Sequence, residues 1–210
     1  MINNEDQNNL FELIADYLKE DIACFAIGGT AMMFHGYKSA TKDIDLVFHS
    51  EKDMSSFIAA IKELGYKERP ISKIYSDKRS SGQNKPKMFT RGEERFDLFK
   101  ENVFSLKMPK ETKGKFDFIG KKTLTMFTPT PEWLIILKIT TNRERDIDDI
   151  LTICEKEKDI SWDMIVDSII KQATRWLLMD LEENLKKISK NIFIKKRYFD
   201  KIYAAYEILD

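Results

Sequence analysis

The sequence predicts an α+β fold, with strands and helices alternating through the first two-thirds of the chain and a helical C-terminal region after them. Three observations predict it. An apolar run at 22–27 ends in Gly28-Gly29 and passes into a helical pattern. From Asp43 to Phe48 carboxylate and apolar side chains alternate as they do on a half-buried strand. From Thr130 onward only helical periodicity recurs.

The elements follow in order. Leu10, Leu13, Ile14, Tyr17 and Leu18 recur at helical spacing behind an Asn/Asp-rich stretch, giving an opening amphipathic helix. Ile22 to Ile27 reads as a strand, Gly28-Gly29 as a tight turn, and Thr30 to Phe34 as a short helix stopped by Gly36. Asp43 to Phe48 is the next strand, and Met54 to Leu64 places Phe57, Ile58, Ile61 and Leu64 on one helical face. Ser76 to Lys87 is polar and Gly/Pro-containing, the composition of a loop that closes over a ligand. Arg95 to Phe99, Lys115 to Ile119 and Thr123 to Thr128 read as strands. Thr130 and Pro131 form a helix start, cap then first-turn proline, so the domain change is placed there: residues 1–129 as a catalytic core and 130–210 as a helical domain completing its cleft. The helical pattern is interrupted near Asp159 to Ser161.

Composition narrows the functions open to such a chain. With 42% hydrophobic and 33% charged residues it can bury a core, and 35 basic residues cancel 35 acidic ones. No global positive field draws it to nucleic acid or a membrane surface, so any nucleic-acid contact must be local. Cys24 and Cys154 lie in apolar stretches without a second ligand at metal spacing and read as packing thiols, which fits a reducing cytoplasm. No export signal and no membrane span is expected from the sequence.

Asp43 and Asp45 carry the chemistry. On a strand their side chains share one face, with Cα atoms about 6.5–7 Å apart, while Ile44 and Leu46 enter the core. Like charges that close need a cation, and hard carboxylate oxygens favour Mg²⁺ with substrate phosphates completing its shell. Asp97, flanked by Phe96 and Leu98, supplies a third carboxylate, and three such groups suit a two-ion Mg²⁺ site. Gly28 and Gly29 sit where a strand becomes a helix, so backbone N–H groups can face a phosphate, with the Thr30 hydroxyl beside them. Any tight turn uses a glycine pair, but thirteen residues between Gly29 and Asp43 suffice for one short helix and a return into the neighbouring strand. Cradle and carboxylates then lie side by side.

These residues resemble the signature of the nucleotidyltransferase superfamily: a Gly-Gly turn (Gly28, Gly29), a short helix, an Asp-x-Asp strand (Asp43, Asp45) and a later strand aspartate (Asp97). The segment TPEWLIILKITTNRERDIDDI is similar to the helical part of AbiEii-type toxins and related prokaryotic nucleotidyltransferases through Lys138, Arg145, Asp146 and Asp149. The resemblance covers about residues 20–155. It implies a mixed sheet flanked by helices and transfer of a nucleoside monophosphate from an NTP to an acceptor hydroxyl, with pyrophosphate leaving. Asp43 and Asp45 would hold Mg²⁺, Asp97 would ligate the second ion and help deprotonate the acceptor, and Lys138 would reach the triphosphate. Nucleotide contacts are further expected from Gly28, Gly29, Thr30, Arg145, Asp146 and Asp149. Asp146 and Asp149 are expected on a polar face opposite the stripe Ile147, Ile150, Leu151 and Cys154, either at the nucleotide or as solvated, Arg-paired acids.

His35 and His49 have no partner at ligand or triad spacing and read as ordinary turn residues. Lys186, Lys187, Lys190, Lys195, Lys196, Arg197 and Lys201, with Phe193, Tyr198 and Phe199 among them, form either an RNA-contacting face or the solvated side of a terminal helix. Read as a haloacid-dehalogenase-type phosphatase, Asp43-Ile-Asp-Leu-Val leaves Gly28-Gly29 unused and lacks the apolar strand such a segment should end. A catalytically inactive nucleotide- or partner-binding protein of the same fold, an antitoxin or regulator, is the alternative. Among active readings the acceptor is tRNA or another RNA, a protein, or an antibiotic. The basic C-terminal face favours tRNA/RNA, with a toxin role and a cognate antitoxin as partner.

Overall fold

A computed structural model describes residues 1–70, 85–141 and 143–209; the expected ligand-closing loop from Ser76 lies, as far as residue 84, outside the described residues. The chain divides into two compact units, Met1–Thr130 and Pro131–Asp210.

In the first unit β1 (Ile2–Asn3) leads into α1 (Asn4–Tyr17), capped by Asn3, which accepts from the Asp6 amide at 2.9 Å. β2 (Ile22–Ile27) turns directly into α2 (Gly28–Phe34), after which β3 (Ala40–Thr41) pairs back with β1 and β4 (Ile44–Phe48) enters the sheet. Ser50 caps α3 (Glu51–Glu63). Then come β5 (Lys67–Arg69), β6 (Lys87–Arg91), β7 (Glu94–Lys100), the small hairpin β8 (Asn102–Val103) and β9 (Leu106–Lys107), β10 (Thr112–Ile119) and β11 (Thr123–Pro129).

One seven-stranded sheet takes the order β10-β11-β2-β4-β7-β6-β5. It is mixed: β11–β2 and β4–β7 run parallel, the other neighbours antiparallel. Strand alternation gives the sheet two different faces. Ile44, Leu46, Phe96 and Leu98, all fully buried, point to the face covered by α1 and α3. There the Phe57 ring meets Phe96 edge-on at 5.5 Å and Phe48 at 5.3 Å, while Phe11 of α1 lies 5.1 Å from Phe118. Burying an aromatic of this size contributes about 1.5–3 kcal/mol, so this cluster fixes β4 and β7 side by side. That leaves Asp45, Arg95 and Asp97 on the opposite face.

The second unit is helical throughout. α4 (Pro131–Thr141) packs with α5 (Glu144–Lys156), α6 (Trp162–Ile170) and α7 (Arg175–Ile188), and α8 (Lys196–Leu209) closes on α6 and α7. α4 buries Trp133, Leu134, Ile135, Ile136, Leu137 and Ile139, which identifies it as the unit's internal helix. Asn184 donates to the Ile139 carbonyl at 3.2 Å and ties α7 to it. The α+β class with C-terminal helices thus agrees with the sequence. No described helix is long and apolar enough to cross a membrane.

Candidate active site

β2, β4 and β7 are adjacent, and their register brings the expected residues together. Ile27 pairs with Asp45, and Asp45 pairs with Asp97, so the end of β2, the first turn of α2 and two carboxylates meet in one row. Paired residues on parallel neighbours point to the same side, with strands about 4.8 Å apart, so Asp45 and Asp97 project together. Asp97 is fully buried, whereas Asp43, just ahead of β4, and Asp45 are half-buried at the rim.

Gly28 follows Ile27 in left-handed backbone at φ +56°, and a Cβ there would lie 2.5 Å from Asp45 Oδ2. Only glycine permits both the turn and the carboxylate's position. Gly29 is constrained in the same way by Thr41, whose Oγ1 would stand 2.2 Å from an added Cβ. Thr41 Oγ1 in turn donates to the Asp43 carbonyl at 3.1 Å, so both glycines and β3 hold the Asp-x-Asp segment. Thr30 is fully buried, and its hydroxyl accepts from the Asp45 amide at 3.4 Å. Its visible work is to position Asp45 rather than to face a ligand.

Arg95 is the residue that sequence reasoning missed. Its Nη2 lies 2.9 Å from Asp43 Oδ2 and 2.9 Å from Asp97 Oδ2, a guanidinium inserted between two of the three carboxylates. The signal was present: Arg95 stands two residues before Asp97, hence on the same strand face. It was read only as a strand's first residue.

Two members of this set have the chemistry to ligate a divalent cation. Asp45 and Asp97 are hard oxygen donors in adjacent register, beside a glycine turn that approaches Asp45 Oδ2 closely. No cluster of three or more His, Cys, Asp or Glu groups spaced to hold a metal occurs among the described residues, and Asp43 pairs with Arg95. Two carboxylates alone would hold a divalent ion only with substrate oxygens completing its shell.

The helical unit's residues form a separate buried network. Lys138 on α4 reaches Asp146 at 3.3 Å and also pairs with Asp149, both on α5. Asp146 further accepts from Arg143 Nε at 2.9 Å and from the Thr141 hydroxyl at 2.5 Å. Burial opposes ionisation of Asp146, but the Arg143 hydrogen bond, the Lys138 and Arg143 charges and the Thr141 hydroxyl outweigh it and hold its carboxyl below the ordinary range. The expected polar face is corrected here: Asp146 and Asp149 are buried beside Ile150 and Ile153, while Ile147, Leu151 and Cys154 are only half-buried. Lys138 brings both acids inside, because paired charge can enter a core that single charges cannot. Arg145 is exposed.

The two histidines are structural. His35 meets the Pro129 carbonyl and His49 the Met108 carbonyl, each through Nε2 at 3.0 Å. Four cations of the basic segment are engaged within the helical unit: Lys186 by Glu182, Lys187 by Glu183, Arg197 by Asp163, and Lys201 by Asp163 and Asp167. Tyr198 is buried, but Phe193 is 84% exposed, and Lys190, Lys195 and Lys196 of the same segment are exposed as well.

A family model described as a nucleotidyltransferase of unknown function (DUF6036) matches residues 7–198. The chain belongs to this family. The match spans both units, from α1 into α8, and takes in the Gly28 turn, the three aspartates and the Lys138 network. Nucleotidyltransferase membership agrees with the resemblance drawn from the sequence; kinship with AbiEii-type toxins in particular is not part of what the match says. No curated protein matches the chain.

Proposed function

We propose that this nucleotidyltransferase moves a nucleoside monophosphate from an NTP to an acceptor hydroxyl with Mg²⁺, and that the acceptor is tRNA or another RNA. The observation that carries the reading is the row Gly28–Asp45–Asp97, a backbone turn and two carboxylates in adjacent register. Asp45 and Asp97 would hold Mg²⁺, with Asp43 at the rim completing a two-ion site once it leaves Arg95. The ions, when bound, supply charge neutralisation of the triphosphate.

The chain's own groups supply the rest. Backbone N–H groups of Gly28 and Gly29 would face the phosphates, at a turn packed closely on Asp45 and Thr41. Asp97, fully buried on one strand, is suited to take the proton of the attacking hydroxyl. The acceptor oxygen bonds to the α-phosphorus, the bond from that phosphorus to the α–β bridging oxygen breaks, and pyrophosphate departs. Among the helical-unit residues, exposed Arg145 is open to a ligand, whereas Lys138, Asp146 and Asp149 are internal.

RNA as acceptor is supported by exposed Phe193 and the exposed Lys190, Lys195 and Lys196 within a few residues of it in sequence. The support is narrower than the whole basic segment, because ion pairs occupy Lys186, Lys187, Arg197 and Lys201. A toxin role with a cognate antitoxin is supported by the likeness of the Lys138–Asp149 segment to AbiEii-type toxins. A second reading, a catalytically inactive binder, is favoured by one observation: Arg95 already neutralises Asp43 and Asp97.

The test is incubation of the protein with each α-³²P-labelled NTP, Mg²⁺, total RNA and protein extract, beside Asp45→Asn and Asp97→Asn. Label on RNA that both substitutions abolish is expected. Label on protein would replace the acceptor class, and no label with any NTP would favour the inactive binder.

A further inference from the structure

We propose that Arg95 is a built-in counter-cation that competes with the divalent metal for the carboxylates, so that metal entry requires its guanidinium to leave them. The inference rests on the metal reading given above.

Three carboxylates on one sheet face need positive charge whether or not a metal is bound. Asp97 has the greatest need, because it is fully buried and an isolated charge there is costly. Arg95 meets that need from the same strand. Its Nη2 is shared between Asp97 Oδ2 and Asp43 Oδ2, both at 2.9 Å, which draws Asp43 toward β7. The charge-assisted hydrogen bonds are therefore made to oxygens that a cation at this site would need.

Geometry also gives the guanidinium a way out. The Arg95 side chain is 21% exposed and that of Asp43 17%, whereas that of Asp97 is 0% exposed. The cation stands on the solvent side of the buried carboxylate, so its withdrawal opens Asp97 from the rim without unpairing β4 and β7. Asp45 keeps its place meanwhile, fixed by Gly28 and by the Thr30 hydroxyl. A fixed pair of acids with a movable arginine beside them is an exchange site for cations. In the nucleotide-free protein it keeps the acids paired without metal.

Apparent metal affinity then falls by the fraction of molecules in which Arg95 has let go, so an engaged population of about 90% masks affinity about tenfold. The probe is Mn²⁺, a carboxylate-seeking stand-in for Mg²⁺, titrated into the full chain and followed by electron paramagnetic resonance. Arg95→Gln is expected to bind Mn²⁺ about tenfold tighter than wild type. Asp45→Asn should lose the site in either background. Equal or weaker binding by Arg95→Gln, with Asp45→Asn still abolishing it, overturns the competition and leaves the metal reading standing. If neither wild type nor Arg95→Gln binds Mn²⁺, the metal reading fails and the inference falls with it. Should Arg95→Gln not fold, as shown by circular dichroism, Arg95→Lys carries the test. It keeps a cation for Asp97 but as a point charge without the planar fork, and is expected to bind Mn²⁺ severalfold tighter than wild type. Unchanged affinity in Arg95→Lys overturns the proposal.

Discussion

At Gly28 the absence of a Cβ decides where Asp45 can stand. An alanine there would set a carbon 2.5 Å from Asp45 Oδ2 while still needing the left-handed φ of +56°. The backbone alone costs about 1–2 kcal/mol, and the carboxylate must shift as well. Gly28→Ala is therefore expected to lower stability by at least that amount in urea unfolding and to lose nucleotidyl transfer. Normal transfer by the variant would separate the turn from the site. The cysteines give a second residue-scale expectation. Burial pushes the Cys154 thiol up to about 11 and the Cys24 thiol further, so neither is a thiolate at neutral pH. Disulfide-exchange reagents should modify the folded protein slowly and both cysteines quickly after unfolding. Most of this site was legible one residue at a time, since glycines and aspartates advertise themselves. Arg95 was not, because a cation at the edge of a strand reads as solvated until its neighbours across the sheet are known.

Elements add what single residues do not show. These strands, though not their pairing, were readable: β2 spans Ile22–Ile27 as expected, and β7 and β11 exceed their expected ranges by a residue or two. β6 was missed because Lys87, Thr90 and Arg91 mask its buried Met88 and Phe89. α5 shows the harder failure. Its period was right and its inward face wrong, because two aspartates were expected on a polar face, at the nucleotide or Arg-paired in solvent, while Lys138 of α4 buries them. Lys138→Met takes the paired cation from buried Asp149 and leaves Asp146 only Arg143, and an expected loss of about 3–5 kcal/mol follows. Arg145→Ala, at an exposed position on the same helix, should stay within about 0.5 kcal/mol of wild type. Chemical denaturation of the two variants checks the contrast. Acid provides an independent probe of this element. The folded Asp146 carboxyl is held below its ordinary value, so its contribution is complete above about pH 4, the unfolded value, and disappears as pH falls through the folded one. Arg143→Ala removes part of that depression and should move the acid unfolding midpoint of the helical unit upward. An unchanged midpoint would show that the Arg143 contact contributes nothing to folding.

For the whole molecule, 35 positive charges against 35 negative ones leave the proposed RNA recognition to a patch. If the patch is Lys190, Lys195 and Lys196, the slope of log affinity against log salt for single-stranded RNA should be about −2, against about −5 for all seven basic residues of the segment. Fluorescence anisotropy across a salt series reads this directly, and Phe193→Ala should weaken binding by about 1–3 kcal/mol if the exposed ring stacks on a base. The reaction class is a property of the entire chain and can be read without knowing the acceptor's sequence. The protein is incubated with Mg²⁺, total RNA and NTP carrying label at the α or, separately, at the γ phosphate. The proposed transfer at Gly28, Asp45 and Asp97 predicts that α label enters the acceptor while γ label appears in pyrophosphate, both lost in Asp45→Asn. Gamma label in the acceptor, or transfer undiminished in Asp45→Asn, would contradict it.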